Sequence, residues 1–215
     1  MPLVVVVLLA GCGSGSETVS STSLQPRLLP ATSLPPVPVG SNVLRFEVER
    51  TFDWSDPVNL VGQGLFLPAF TRPSVAVAHF TDAHLRGAVG EELGAGGEKG
   101  AHATVGVALF KSEADANRVR EWMHHQDLQQ PCFTECIYTP GSVTVPGIPS
   151  ARVVVQTSKV PSKPGGSSSE DEANYLAEFS VGPYLYWTWT HGETRSQPLF
   201  LEAVRLYHAH ATKTA

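Results

Sequence analysis

Charge is scarce in this chain. Only 16% of its 215 residues are Asp, Glu, Lys or Arg, and the balance is acidic, 20 against 15. A nucleic-acid binder needs a basic stripe to neutralise phosphates, and a membrane-surface binder needs a polybasic patch. A net charge of −5 argues against both. Long apolar runs are also missing. The longest, Leu3 to Ala10, has eight residues, where a spanning helix needs about 20. Gly and Pro number 19 and 17, about 17% together, below the roughly 25–30% of a wholly disordered chain. Catalytic signatures are lacking too: there is no G-x-S-x-G, no H-E-x-x-H and no Walker A motif. Gly94-Ala-Gly-Gly-Glu-Lys-Gly100 is rich in glycine but misses the spacing of a phosphate-binding loop and reads as a plain loop before a strand.

The apolar run is the length of the hydrophobic region of a secretory signal. It is followed at once by Leu9-Ala10-Gly11-Cys12. This resembles the lipobox of bacterial lipoproteins, in which a Leu and two small residues precede a Cys. The resemblance implies cleavage after residue 11, lipid attachment at Cys12 and localisation outside the cytoplasm, anchored to the plasma membrane. It departs from the pattern in one respect: no Lys or Arg precedes the run, which a start codon placed too far downstream would explain. From Gly13 to Ser41, 15 of 29 residues are Ser, Thr or Pro. The stretch has almost no charge and no apolar period, so it reads as a tether over residues 12–41.

There are three cysteines. If Cys12 takes the lipid, Cys132 and Cys136 remain as a pair, and an oxidising compartment favours a disulfide between them. A redox pair and half a zinc site are the alternatives, but the spacing is C-x-x-x-C and two further zinc ligands are needed.

Residues 42–215 read as one folded domain. Ala103 to Phe110 is a buried strand. A helix capped by Ser112 runs to about Gln126, with Ala116, Val119 and Met123 inward and Arg118, Arg120 and Glu121 toward water. Val75 to Phe80 matches Val105 to Phe110 at four of six positions, so Val75–Phe80 reads as a strand and Ala83–Leu93 as a helix. That makes two β-α units in series (75–93 and 105–126), or a chance echo. Short strands are expected at 143–145 and 152–157, then a polar loop at 161–172. Asn174–Val181 and Tyr184–His191 flank Gly182-Pro183 as a hairpin. A helix from about Pro198 to His208 closes the chain. Together these predict an α+β fold, an antiparallel sheet with helices packed on one face in two layers. Lipobox, tether and element order together resemble the cell-surface lipoproteins and sensor-like domains of actinobacteria, many of unknown activity.

Eight histidines invite a metal hypothesis, but His124-His125 and His208-x-His210 do not share a helix face, and His79, Asp82 and His84 are looser still; neither metal nor cofactor is expected. The functional signal is aromatic. Eight of eighteen Phe, Trp and Tyr lie between Tyr175 and Tyr207. Alternation puts Leu185, Trp187 and Trp189 on one face of the second hairpin strand and Tyr184 and Tyr186 on the other. The Trp face is expected to pack on the C-terminal helix at Phe200 and Val204. Tyr184 and Tyr186 are then the candidate binding residues, for a small ligand or an envelope protein. The chain thus reads as a lipid-anchored, non-enzymatic, sensor-like binding domain. The alternative is an extracytoplasmic hydrolase or metal-dependent enzyme whose site assembles only in three dimensions.

Overall fold

The computed structural model describes residues 18–39, 42–54, 56–61, 72–96, 101–128, 139–158, 172–193 and 197–214. Cys12, Cys132 and Cys136 lie outside these residues, so the lipid and disulfide expectations do too.

Seven antiparallel strands form the main sheet in the order β3-β4-β5-β9-β8-β7-β6. The strands are β3 (Glu47–Asp53), β4 (Leu85–Ala95), β5 (Ala101–Phe110), β6 (Thr139–Val145), β7 (Ile148–Ser158), β8 (Glu172–Val181) and β9 (Tyr184–Glu193). A small ribbon of β1 (Val37–Val39) and β2 (Asn42–Leu44) precedes them. The chain lays down the meander β3-β4-β5, crosses the sheet as helix α4 (Glu113–Leu128), and returns as the meander β6-β7-β8-β9, so that β9 pairs with β5. The expected hairpin is present, with Val181 opposite Tyr184 and Gly182 at φ +56° in its two-residue turn. A second tight turn joins β6 to β7, where Gly147 takes φ +84°.

The α+β class and the antiparallel sheet are as the sequence predicts. The layering differs, because helices cover both faces. One core joins the odd-numbered inward residues of β4, β5 and β8 to helix α5 (Gln197–Thr214), through Phe200, Val204, Tyr207 and Ala211. The other joins Ala88, Ala108, Leu185 and Trp187 to α4, to α3 (Pro73–Asp82) and to Leu60 beside the short α2 (Pro57–Asn59). Two apolar faces on one sheet need two covers.

Two segments exchange their expected identities. Residues 75–80 are helical within α3, and 85–93 are extended in β4. The β-α repeat at 75–93 and 105–126 is therefore absent. Pro73 occupies the first turn of α3, where its missing N–H costs nothing. Gly87, Gly90 and Gly94 make 85–95 a poor helix, and pairing with β3 on one side and β5 on the other makes it an interior strand. His84 makes the change of direction at φ +54°, in the left-handed region after α3.

The tether also ends earlier than expected. The Val19 N–H donates to the Arg86 carbonyl at 2.7 Å. The chain then runs across the sheet through the short α1 (Ser21–Leu24) and two 3-10 turns. Leu24, Leu28, Leu29, Ala31 and Leu34 are all buried in the α5-side core. Five apolar anchors in a Ser/Thr/Pro-rich background suffice, because the prolines already restrict the unfolded chain.

Candidate functional site

The hairpin faces are the reverse of those expected. Tyr186, not Trp187, meets the C-terminal helix. Its ring stacks on Phe179 at 5.1 Å and meets Tyr207 edge-on at 5.4 Å. Tyr186 is fully buried and cannot receive a ligand as an exposed ring. Tyr184 is half-buried, with the Arg27 guanidinium 3.7 Å above its ring centre. The N-terminal segment thus covers the face assigned to binding. Trp187 lies on the opposite face, stacked on Trp54 at 5.8 Å. Its indole fits because Gly106 opposite it has no side chain: a Cβ there would sit 2.2 Å from the ring.

The ionisable groups that the fold does gather lie beneath α4. Ser112 caps the helix as expected, its Oγ accepting from the Asp115 N–H at 3.1 Å and donating to the Asp115 carboxylate at 2.7 Å. From that start, Ala116, Val119, Arg120, Met123 and Asp127 all turn inward. Arg120, expected to face water, is only 8% exposed. Asp127 sits two turns beyond it, on the same stripe. On the sheet, Arg152 pairs with Glu178 and Glu178 with Trp187 across adjacent strands. Glu178 and Asp127 are 1% and 3% exposed.

Two buried carboxyls this close do not both ionise. The Glu178 carboxyl donates to that of Asp127. Burial pushes Asp127 up to about 6, partly offset by that hydrogen bond. Burial, reinforced by the Asp127 charge, holds Glu178 well above the usual carboxylate range. Arg120 is the nearby cation that opposes the rise at Glu178. Its guanidinium bonds Glu121 at 2.7 Å, and Glu121 also meets Arg152 at 3.0 Å. Gln156 of β7 donates to the Asp127 backbone carbonyl at 3.2 Å, fastening the end of α4 to the sheet. Burial also lowers His124, one turn before Asp127. Chemically, the arrangement holds one proton between two buried acids.

Among the described residues, four buried polar atoms on or facing this side of the sheet meet no hydrogen-bonding protein group: Arg120 Nε, His124 Nδ1, Glu178 Oε2 and Trp187 Nε1. Sequence reading misses this cluster. Glu178 sits among Asn174, Leu176 and Ser180, the polar-looking set that alternates with Tyr175, Ala177 and Phe179. The available signal was Arg120 and Asp127 sharing the Val119–Met123 stripe. Among the described residues, no group of three or more His, Cys, Asp or Glu is placed to hold a metal ion. His79, one of the histidines considered for a metal, stacks on Trp122 at 4.4 Å.

No protein-family model and no curated protein matches the chain. Among solved structures, the extracellular domain of PknH from Mycobacterium tuberculosis shares its fold, with a TM-score of 0.52 and 13% identity, over 93% of this chain and 98% of that one.

Proposed function

We propose that this chain is a lipid-anchored extracytoplasmic domain of an actinobacterial envelope, a non-enzymatic, sensor-like module that binds a small polar ligand beneath α4. Localisation is supported by the Leu9-Ala10-Gly11-Cys12 sequence and by a fold shared over nearly its whole length with an extracellular domain. Among the described residues, no helix is long and apolar enough to cross a membrane.

The observation that carries the binding reading is the set of partnerless polar atoms around Arg120 and Glu178. Each buried polar group left without a partner costs about 1–3 kcal/mol. A bound molecule with both donors and acceptors recovers that cost, so the site favours a polar ligand over an apolar one. The test is native mass spectrometry of the full chain extracted from membranes, wild type beside Glu178→Gln. The expected result is a non-covalent small-molecule adduct on the wild type that the variant loses. Wild-type protein with no adduct, or an adduct equally present on the variant, rejects the reading.

A further inference from the structure

The N-terminal segment seals the sheet over Tyr184 but not at the β3–β4 edge. There a cleft of about 490 Å³ opens, with Gln25, Leu28 and Ala31 on one wall and Phe46, Val48 and Glu91 on the other. That volume falls in the range of small-molecule pockets, roughly 300–1,000 Å³. Its walls are mainly apolar. Of its ten described lining residues, Glu47 and Glu91 are carboxylic acids and none is basic.

Glu91 is the unusual member. It stands between Val89 and Leu93 on the core side of β4 and is 8% exposed. A carboxyl there gives up its hydration, and burial accordingly holds Glu91 above the ordinary carboxylate range, with the hydrogen bond from Gln25 opposing the rise. A neutral side chain would fill the position at less cost. Among the described lining residues, neither wall supplies an Arg or Lys to match the charge. What completes such a site is a cation from outside, carrying enough carbon to cover Leu28 and Phe46.

We infer that this cleft binds a small organic cation, an ammonium group on an apolar body, with Glu91 as its counter-ion. The ammonium donates to the Glu91 carboxylate, and the body lies between the two walls. This site is separate from the interior beneath α4. Because one wall is the segment leading back to Cys12, an occupant joins that segment to the sheet.

The experiment uses the full chain and two probes of the same shape, phenethylamine, cationic at neutral pH, and the uncharged 2-phenylethanol. Binding is read by ligand-observed NMR titration on wild type, Glu91→Gln and Thr32→Trp. Gln is near-isosteric and removes a buried acid, so folding is retained, and a melt of each variant checks it. Thr32→Trp keeps Glu91 and blocks the cleft from its exposed rim. The expected result is saturable binding of the amine to wild type, weakened at least about tenfold in Glu91→Gln, the loss of one charge-assisted hydrogen bond. The alcohol binds wild type at least about tenfold more weakly than the amine on the same ground, and Thr32→Trp binds neither. Equal affinity for amine and alcohol, unchanged amine binding in Glu91→Gln, or no saturation of wild type up to about 10 mM, overturns the inference.

Discussion

Gly90 and Gly106 are cross-strand neighbours whose missing side chains make room for two indoles. A Cβ on Gly90 would lie 2.0 Å from the Trp54 ring, and one on Gly106 2.2 Å from Trp187. Gly106→Ala should therefore cost about 1–3 kcal/mol by overpacking. A chemical denaturation midpoint unchanged from wild type would show that the indole moves away freely. The buried acids act on stability through pH. Asp127 is pushed up to about 6 from an ordinary 3.8, so between those values the folded chain binds more protons than the unfolded one. Stability then falls as pH rises through that window, because ionising a buried acid is disfavoured. Glu178, also raised, acts with the same sign. Among the described residues, Arg120, Glu121, Arg152 and His124 are ionisable neighbours of the pair, and Arg120 opposes the rise at Glu178 by its charge. Wild type should therefore lose stability between about pH 4 and pH 8 as the Asp127–Glu178 pair gives up its protons. Asp127→Asn should flatten that loss. Denaturation curves of both proteins at the two pH values are the measurement, and parallel slopes would remove Asp127 from the account.

At the scale of elements, β9 carries two cores on one strand. Tyr186 belongs to the α5 side and Trp187 to the side of α3 and α4. Truncating either to Ala should cost about 3–5 kcal/mol, the penalty of an aromatic cavity. A melt in which Tyr186→Ala is as stable as wild type would restore that ring to an exposed role. The segment from Val19 to Leu34 is an element in the same sense, although composition hides it. Leu28 is 4% exposed against the sheet. Leu28→Ala should destabilise the domain by about 2–4 kcal/mol, where a free tether predicts no change. The two readings separate cleanly in a thermal melt.

For the whole molecule, the early start of the fold would place the domain close to a lipid carried by Cys12. Six residues, and so seven Cα–Cα steps, separate Cys12 from Val19, which is already bonded to Arg86. A chain of that length spans at most about 25 Å fully extended. A lipid at Cys12 would thus hold the Val19 end of the sheet near the membrane surface. Cys12→Ala should move the protein from the membrane fraction to the soluble fraction. A variant that still sediments with membranes removes the anchor from the proposal.

The local chemistry of several elements was legible without any tertiary information. Apolar continuity marks β5, the Ser112–Asp115 pair marks the start of α4, Gly182-Pro183 marks the hairpin, and a broad apolar stripe marks α5. Each of these depends on near neighbours in the chain. Residues 75–95 are ambiguous to local reading because Val-Ala alternation suits either state. The choice between helix and strand there followed from which segment could pair with β3 and β5. Glycines at 87, 90 and 94 were the overlooked hint. The faces of β9 were beyond local reading for a different reason. Period-two alternation says that Tyr186 and Trp187 point apart, but not which of two helices each will meet. That was decided by α4 crossing one face of the sheet and by α5 with the Leu24–Leu34 segment covering the other. The same crossing turned Arg120, Asp127 and Glu178 into buried groups, because burial is a property of what lies above a residue and not of the residue itself.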